Sequence, residues 1–543
     1  MSEKPKAQVV ITAPEPVKGG SFTEALVGSF QRLNPVLDYY NAADREVDRL
    51  LFNGLIRFEG NGLPVTDLAE TYGISQDGTI YNFTLRSGVK WHDGKSLTAD
   101  DVLFTIDLMR NGEDIVPLDL QNFWKDIEVK KFNDTTLQFR LPEAFSPFLD
   151  YLTFGILPKH LLAEYSMKNI VDAPFNMKPV GTGPYRFQRF IVENNQVTGV
   201  VLAANPNYFG QKPFIQDVIF RYYPDAGGAL KAYQQGDVQA IGKVTTEILP
   251  AVLAQKNLAI YSSRRPEMTM ILFNLKNSNL TFLQDVVVRK ALLTGLNRQW
   301  IVDRVLKSQA VVSNGPVLPG TWAYYEPNEK LVFDPEAARN ALRDAGYVLE
   351  NDKAPVRKKD NVALVIRLSL PDDDVHKAIG EAIAKDWAAL NIQVDLEPLP
   401  YDQLVKERLE TRSFQAALVE LNLSRSPDPD PYPFWDQGQV SGGQNYGQWD
   451  NRIASEYLEQ ARVTIDFNER ARLYRNFQVV FRQEMPAIPL YYPIYTYAIS
   501  NQVQGVRVGL LFDSADRFNT IVEWYLATQN PKETPIVRTT LTP

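Results

Sequence analysis

Hydrophobic and polar positions alternate along much of the first third of the chain. In IYNFTLR (80–86), Tyr81, Phe83 and Leu85 interleave with Asn82, Thr84 and Arg86, the period of two that a half-buried strand requires. Asp77-Gly78 before this run and Asp93-Gly94 after it supply turns. TLQFRL (136–141) repeats the pattern, with Leu137, Phe139 and Leu141 on one side. Between the two the period lengthens. Thr98 is a predicted N-cap, Asp101 takes the third helical position, and Val102, Ile106 and Met109 form the inner face. Residues 50–150 therefore read as an α+β segment.

From about residue 280 helical periods dominate. An apolar stripe runs through Val288, Leu292, Leu296, Ile301 and Val305, interrupted at Gly295. Asp334-Pro335 followed by AARNALRDAG predicts an N-cap, a proline in the first turn and a glycine just past the end. A strand over 363–370, a helix over about 374–390 and a strand over 392–398 form a βαβ unit, hence two parallel strands. FQAALVEL (414–421) adds a further strand to that sheet and runs into SRSPDPDPYPFWDQGQVSGGQNYGQW (424–449). Ligands of α/β sheets sit beyond the carboxyl ends of strands, so this loop is a site candidate. A proline-stiffened loop filling a gap between lobes is the competing reading. Helices are expected over 451–463 and 468–484, before the aromatic run PAIPLYYPIYTYAI. Residues 1–18 read as an extended linker and the end, from about 529, as loose.

Composition narrows the function classes. At 543 residues, 44% hydrophobic and 22% charged, the chain holds roughly three or four folding units. A formal charge of −8 argues against a phosphate backbone or anionic lipid as partner. Cysteine is absent and the three histidines (His92, His160, His376) are scattered, which disfavours thiolate chemistry and a His-based metal site. None of the P-loop, H-E-x-x-H or G-x-S-x-G motifs occurs. GTGPY (181–185) lacks the third glycine of a dinucleotide loop and carries Pro184 where a donor is needed, so it reads as a tight turn. His92, before Asp93-Gly94, reads as a strand-end residue. Acid pairs at helix starts are explained by the macrodipole. Two distant carboxylates of a glycosidase remain conceivable. No stretch reaches the 18 or so apolar residues that cross a bilayer, and MSEKPKAQVVITAPEP lacks a signal-type apolar core. It fits either a tether following an anchor or a frayed terminus.

LAETYGISQDGTIYNFTLRSGVKWHDGKSLTADDVLFTIDLM (68–109) closely resembles the signature of family 5 bacterial extracellular solute-binding proteins, the oligopeptide- and dipeptide-binding group of ABC importers. Further matches follow in the family's order. They are LNP (33–35), FNGLIRFEGNG (52–62), GTGPYRF (181–187), NPNYF (205–209), ALKAYQQGDVQAI (229–241), FNLKN with VRKALLTGLNRQWIV (273–302), DPEAARNALRDAGY (334–347), and DPDPYPFW with NYGQWDN (428–451). The resemblance implies an α/β, periplasmic-binding-protein-like class II fold of two hinged lobes, with an extra α+β domain inserted in lobe I. Lobe I would take 19–47, 181–272 and 498–543, the inserted domain 48–180, and lobe II 273–497. It further implies a monomeric, non-enzymatic receptor without cofactor or metal, periplasmic or extracellular, whose partners are a small peptide or oligosaccharide and the permease subunits of an ABC transporter. The ligand-facing residues it points to are Asn34, Asp428, Asp430, Tyr432, Trp435, Asn445 and Tyr446. One departure stands out. The acid that holds a peptide's α-amine in the family falls here on Arg425 or Pro427, which leaves Asp428 as its replacement or a ligand other than a zwitterionic peptide. An oligosaccharide suits the Trp/Tyr/Asn-rich loop, and a secreted carbohydrate-active enzyme is the reading from another class.

Overall fold

The computed structural model describes residues 16–327, 332–351, 354–424 and 427–527. The proposed linker, except for 16–18, lies outside these residues, as do Arg425 and the segment after 527. Among the described residues twelve strands join one sheet. Its main path runs Gln393–Leu399, Val365–Pro371, Ala416–Asn422, Glu267–Phe273, Ala487–Ser500, Ala240–Ile241, Ser21–Val27, Asp217–Tyr223, Gln196–Ala204 and Tyr185–Glu193. The predicted βαβ unit is present. Val365–Pro371 and Gln393–Leu399 pair in parallel around the helix Asp374–Ala388, and Ala416–Asn422 joins them.

The aromatic run near the C-terminus is the strand Ala487–Ser500, which ties the two halves of the sheet together. Its first half pairs with Glu267–Phe273 and Ala310–Val312, its second with Leu258–Arg264 and Ala240–Ile241. Two prolines inside a strand are unusual, because each removes a ladder donor. Here Pro489 and Pro493 are accommodated where pairing is irregular: the register shifts between Thr269 and Met270, and the Pro493 carbonyl instead accepts the Arg265 N–H at 2.8 Å. The exchange of partners falls opposite the Arg265-Pro266 link.

The cores follow this division. One large core joins the first strand, the helix Ala42–Leu51, the α+β segment and the C-terminal Val503–Trp524, while two others draw mainly on residues 268–492. In the α+β segment a four-stranded antiparallel sheet orders Ala69–Ile74, Ile80–Leu85, Thr136–Arg140 and Glu128–Lys131, with Tyr81, Phe83, Leu85, Leu137 and Phe139 buried as the alternation requires. The helix Ala99–Arg110 starts as expected, the Asp101 carboxylate accepting the Thr98 N–H at 2.9 Å. GTGPY is a close backbone approach. The Gly183 N–H donates to Leu51 O at 2.8 Å, and a Cβ at Gly183 would sit 2.3 Å from Leu50 O. His92 pins this turn: its Nδ1 accepts the Gly181 N–H at 3.1 Å, which leaves Nε2–H to donate to Gly183 O at 3.1 Å. The C-terminal segment is locked to the first strand through Arg517, which pairs with the buried Glu24 and with Glu46 (2.6 Å), while Tyr497 donates to Glu24 at 2.7 Å. Among the described residues no helix is long and apolar enough to cross a membrane.

Candidate functional site

A cavity of about 1860 Å³ opens between the loop after the first strand, the helix Ala42–Leu51, the α+β segment, the C-terminal residues 507–523 and, from the end of the strand Ala416–Asn422 and beyond it, Asn422, Ser424, Pro427 and Arg462. This is well above the roughly 300–1,000 Å³ of a small-molecule pocket. Its wall is aromatic and acidic. Phe123, Tyr151, Tyr208 and Phe209 are among its rings, and eleven carboxylates face six arginines, with neither lysine nor histidine in the lining.

Most of those arginines are already committed. Arg45 pairs with Asp513 at 2.7 Å, Arg49 with Asp516 and Arg507 with Glu523, and Arg86 donates to the Asp67 carbonyl at 2.6 Å. Arg462 lies between the ring of Phe145 in the α+β segment (5.0 Å) and that of Tyr432 in the loop after the strand Ala416–Asn422 (4.3 Å). Other contacts cross between the same bodies. Trp322 N–H donates to Asn61 O at 3.1 Å, Ser146 to the Thr464 carbonyl, and Asp428 N–H to the Asp150 carboxylate at 2.9 Å.

In this conformation none of the seven candidate residues borders the cavity. Asn34 is buried, its amide donating to Asn176 at 3.0 Å and its carbonyl accepting the Val36 N–H, so it shapes the loop before the first helix. Asp428 is buried against Arg470, with the Tyr474 hydroxyl donating to its other oxygen at 3.0 Å. Asp430 faces Arg462 at 3.2 Å, and burial pushes its carboxyl up to about 6, with Arg462 opposing. Trp435 packs on Phe481 (4.8 Å) and Trp449 (6.3 Å) in a hydrophobic core. Asn445 staples the loop, donating to the Asp436 and Trp449 carbonyls and accepting the Trp449 N–H. Tyr432 and Tyr446 are half-buried beneath Arg462 and Arg412. In each case the protein itself takes up the side chain: Asn34 and Asn445 by their local backbone and neighbours, Asp428 and Asp430 by arginines of the following helices, and Trp435 by the aromatic core. Asp428, the expected replacement for the amine-binding acid, spends its carboxylate on Arg470.

Sequence reasoning missed Phe123, Tyr151 and Tyr208, whose patterns match core aromatics, and it missed Asp48. For Asp48 a signal existed. In AADREVDRLL, Asp44 and Asp48 fall on the same helical face as Leu51, and all three are buried. Asp44 is explained by caps to the Gln31 and Arg32 N–H groups. Both Asp48 oxygens are buried without a partner in good hydrogen-bond geometry.

Comparison with known proteins agrees with this architecture. Residues 64–444 match the middle region of bacterial extracellular solute-binding proteins, family 5. The dipeptide-binding protein of Escherichia coli is 26% identical over 526 residues, covering 92% of this chain and 94% of that protein. The oligopeptide-binding protein AppA of Bacillus subtilis, solved with a nonapeptide, is 25% identical, with a TM-score of 0.66 over 95% of this chain and 100% of that one. HbpA2 of Haemophilus parasuis, at 23% identity, shares the fold with a TM-score of 0.80 over 94% of this chain and 100% of its own. With the two-lobed class II periplasmic-binding-protein fold and a family match across most of its length, the chain belongs to the family 5 bacterial extracellular solute-binding proteins.

Proposed function

We propose that this protein is the receptor of an ABC importer, which captures an oligopeptide or a similarly short oligomer in the cavity, closes its lobes over it and hands it to permease subunits in the membrane. The observation that carries the reading is the cavity. Its size suits several residues of a chain-like solute, and its mixed lining of rings, carboxylates and arginines suits a ligand with a polar backbone and varied side groups. The solute that the E. coli relative is named for and the nonapeptide in the AppA structure point the same way.

Closure would pivot where the strand Ala487–Ser500 exchanges partners beside Arg265-Pro266, shortly before the proposed lobe boundaries at 272/273 and 497/498. The inserted 48–180 segment would travel with lobe I, since both share one core. The ligand is neither cleaved nor altered in such a cycle. Binding is favoured because the closed form excludes water and satisfies the ligand's donors and acceptors together.

Native mass spectrometry of the purified protein, followed by denaturation and fragmentation of the released solute, tests this. Masses separated by amino-acid residues are the expected result. Hexose spacings would move the assignment to an oligosaccharide, which the many rings of the lining would also accept. Consumption of added peptide or glycan by the protein would overturn the receptor reading altogether.

A further inference from the structure

The cavity holds one feature that the fold does not explain. Asp48 borders it and is 3% exposed, yet neither carboxylate oxygen has a partner in good hydrogen-bond geometry, and the one donor that approaches is the Asn34 backbone N–H. A buried carboxylate in that state is costly, and proteins supply such groups with a partner. The surroundings deepen the deficit. Asp38, also in the lining, and Asp44 on the same helix repel its charge, while the Asn34 N–H and Arg45 offset only part of the cost of burial. The Tyr222 hydroxyl, facing from the strand Asp217–Tyr223, also has no hydrogen-bond partner. The nearest arginines are spent elsewhere, Arg45 on Asp513 and the Asp38 carbonyl, Arg49 on Asp516.

We propose that Asp48, with Asp38 beside it, forms a subsite on the lobe I wall of the cavity for an ammonium or guanidinium group of the solute. A cation reaching Asp48 from the cavity side would supply donors and cancel the buried charge together. A metal ion does not fit: among the described residues no group of three or more His, Cys, Asp or Glu is arranged to hold one. An organic cation does, because it brings several N–H donors to oxygens that only the Asn34 N–H approaches. The surplus of carboxylates over arginines in the lining favours the same charge sign over the whole cavity. The subsite also resolves the displaced anchor. Across the cleft Asp428 is held by Arg470 and Tyr474, and Asp430, ion-paired with Arg462, does not reach the cavity, so the poorly satisfied acid that borders it is Asp48. This deepens the peptide reading and rests on it for the identity of the cation's carrier.

The test uses the full chain, freed of carried-over ligand by unfolding and refolding, and calorimetry with three probes: Ala-Lys-Ala, the same peptide acetylated on both amines, and agmatine. Asp48→Asn is expected to weaken Ala-Lys-Ala by about tenfold or more, the value of one charge-assisted hydrogen bond, and to leave the acetylated peptide unchanged. Singly acetylated peptides then tell whether the α- or the ε-amine is seated. Wild-type affinity should rise with pH as Asp48 gives up its proton to take the cation, a slope that Asp48→Asn removes. Thermal stability should be no lower in Asp48→Asn, since an unpaired buried charge is lost; should that variant fold poorly, Asp38→Asn is expected to show a smaller loss of the same kind. Equal affinity of wild type and Asp48→Asn for Ala-Lys-Ala overturns the subsite while leaving the peptide reading intact. Should the wild type bind neither peptide, the peptide reading falls and agmatine decides: binding lost in Asp48→Asn upholds the subsite, and no binding overturns it.

Discussion

Removing the Asp428 carboxylate while keeping its shape, as in Asp428→Asn, separates a structural acid from a ligand-binding one. Arg470 is 1% exposed; its Nε donates to the Ala461 carbonyl at 3.0 Å and its outer nitrogen pairs with Asp428. Once Asp428 is neutral, a guanidinium remains in the interior with no counter-charge, and breaking a buried pair in this way costs about 3–5 kcal/mol. Three rings partly offset that loss, for the guanidinium carbon lies 5.0 Å from the centre of Trp322, 5.5 Å from Phe467 and 5.8 Å from Tyr474. A net loss near the lower end, about 3 kcal/mol, is therefore expected, or about 6–12 °C in the unfolding temperature of a unit the size of lobe II. Urea unfolding followed by tryptophan fluorescence reads it. Adding Arg470→Met should recover most of the loss, because replacing both partners with neutral groups leaves no buried charge behind. The reasoning fails if Asp428→Asn stays within about 1 kcal/mol of wild type, or if it abolishes ligand binding without touching stability.

Three further outcomes follow from other contacts. Burial pushes His92 down to about 4, below its ordinary 6.5, so the folded state resists its protonation. Its contribution is full above pH 6.5 and is lost as pH falls toward 4, amounting to at most about 3 kcal/mol across that window; the difference in urea midpoint between wild type and His92→Gln should shrink over the same range. Gly183→Ala should lower stability by about 1–3 kcal/mol, because the backbone carbonyl of Leu50 cannot give way, and an unchanged denaturation curve would show that the turn relaxes. Glu24→Gln should leave Arg517 buried with Glu46 alone and loosen the C-terminal segment, read as faster limited proteolysis near residues 507–523.

Much of the architecture was legible because it obeys simple periods. The strands around Tyr81 and Leu137, the capped helix at Asp334 and the parallel pair flanking the helix Asp374–Ala388 all bury the faces their spacing predicts. The strand Ala487–Ser500 was not legible, since two prolines argue against a central strand unless one knows that its pairing is irregular beside them. The site was less readable for a related reason. Trp435, Asn445 and Asp428 sit in the loop the sequence marks out, but composition does not reveal whether a polar group is satisfied by its own loop or by a ligand. Asp48 gave the opposite lesson, an unremarkable letter in a regular helix whose interest lies in the donors it lacks.

The strand Ala487–Ser500 also dictates when the protein can fold. It lies between the lobes in space but close to the end in sequence, and both halves of the sheet need it. Until residue 500 has been made, Ala240–Ile241 and Leu258–Arg264 lack a neighbour on one side and Glu267–Phe273 lacks one on the other. A nascent or truncated chain ending before residue 487 would display open, apolar strand edges in two places, the condition under which chains pair with one another instead of with themselves. Such long-range closure makes for slow folding. The strand that joins the two halves of the sheet is thus the last of its twelve to be laid, and until then the chain carries both open edges.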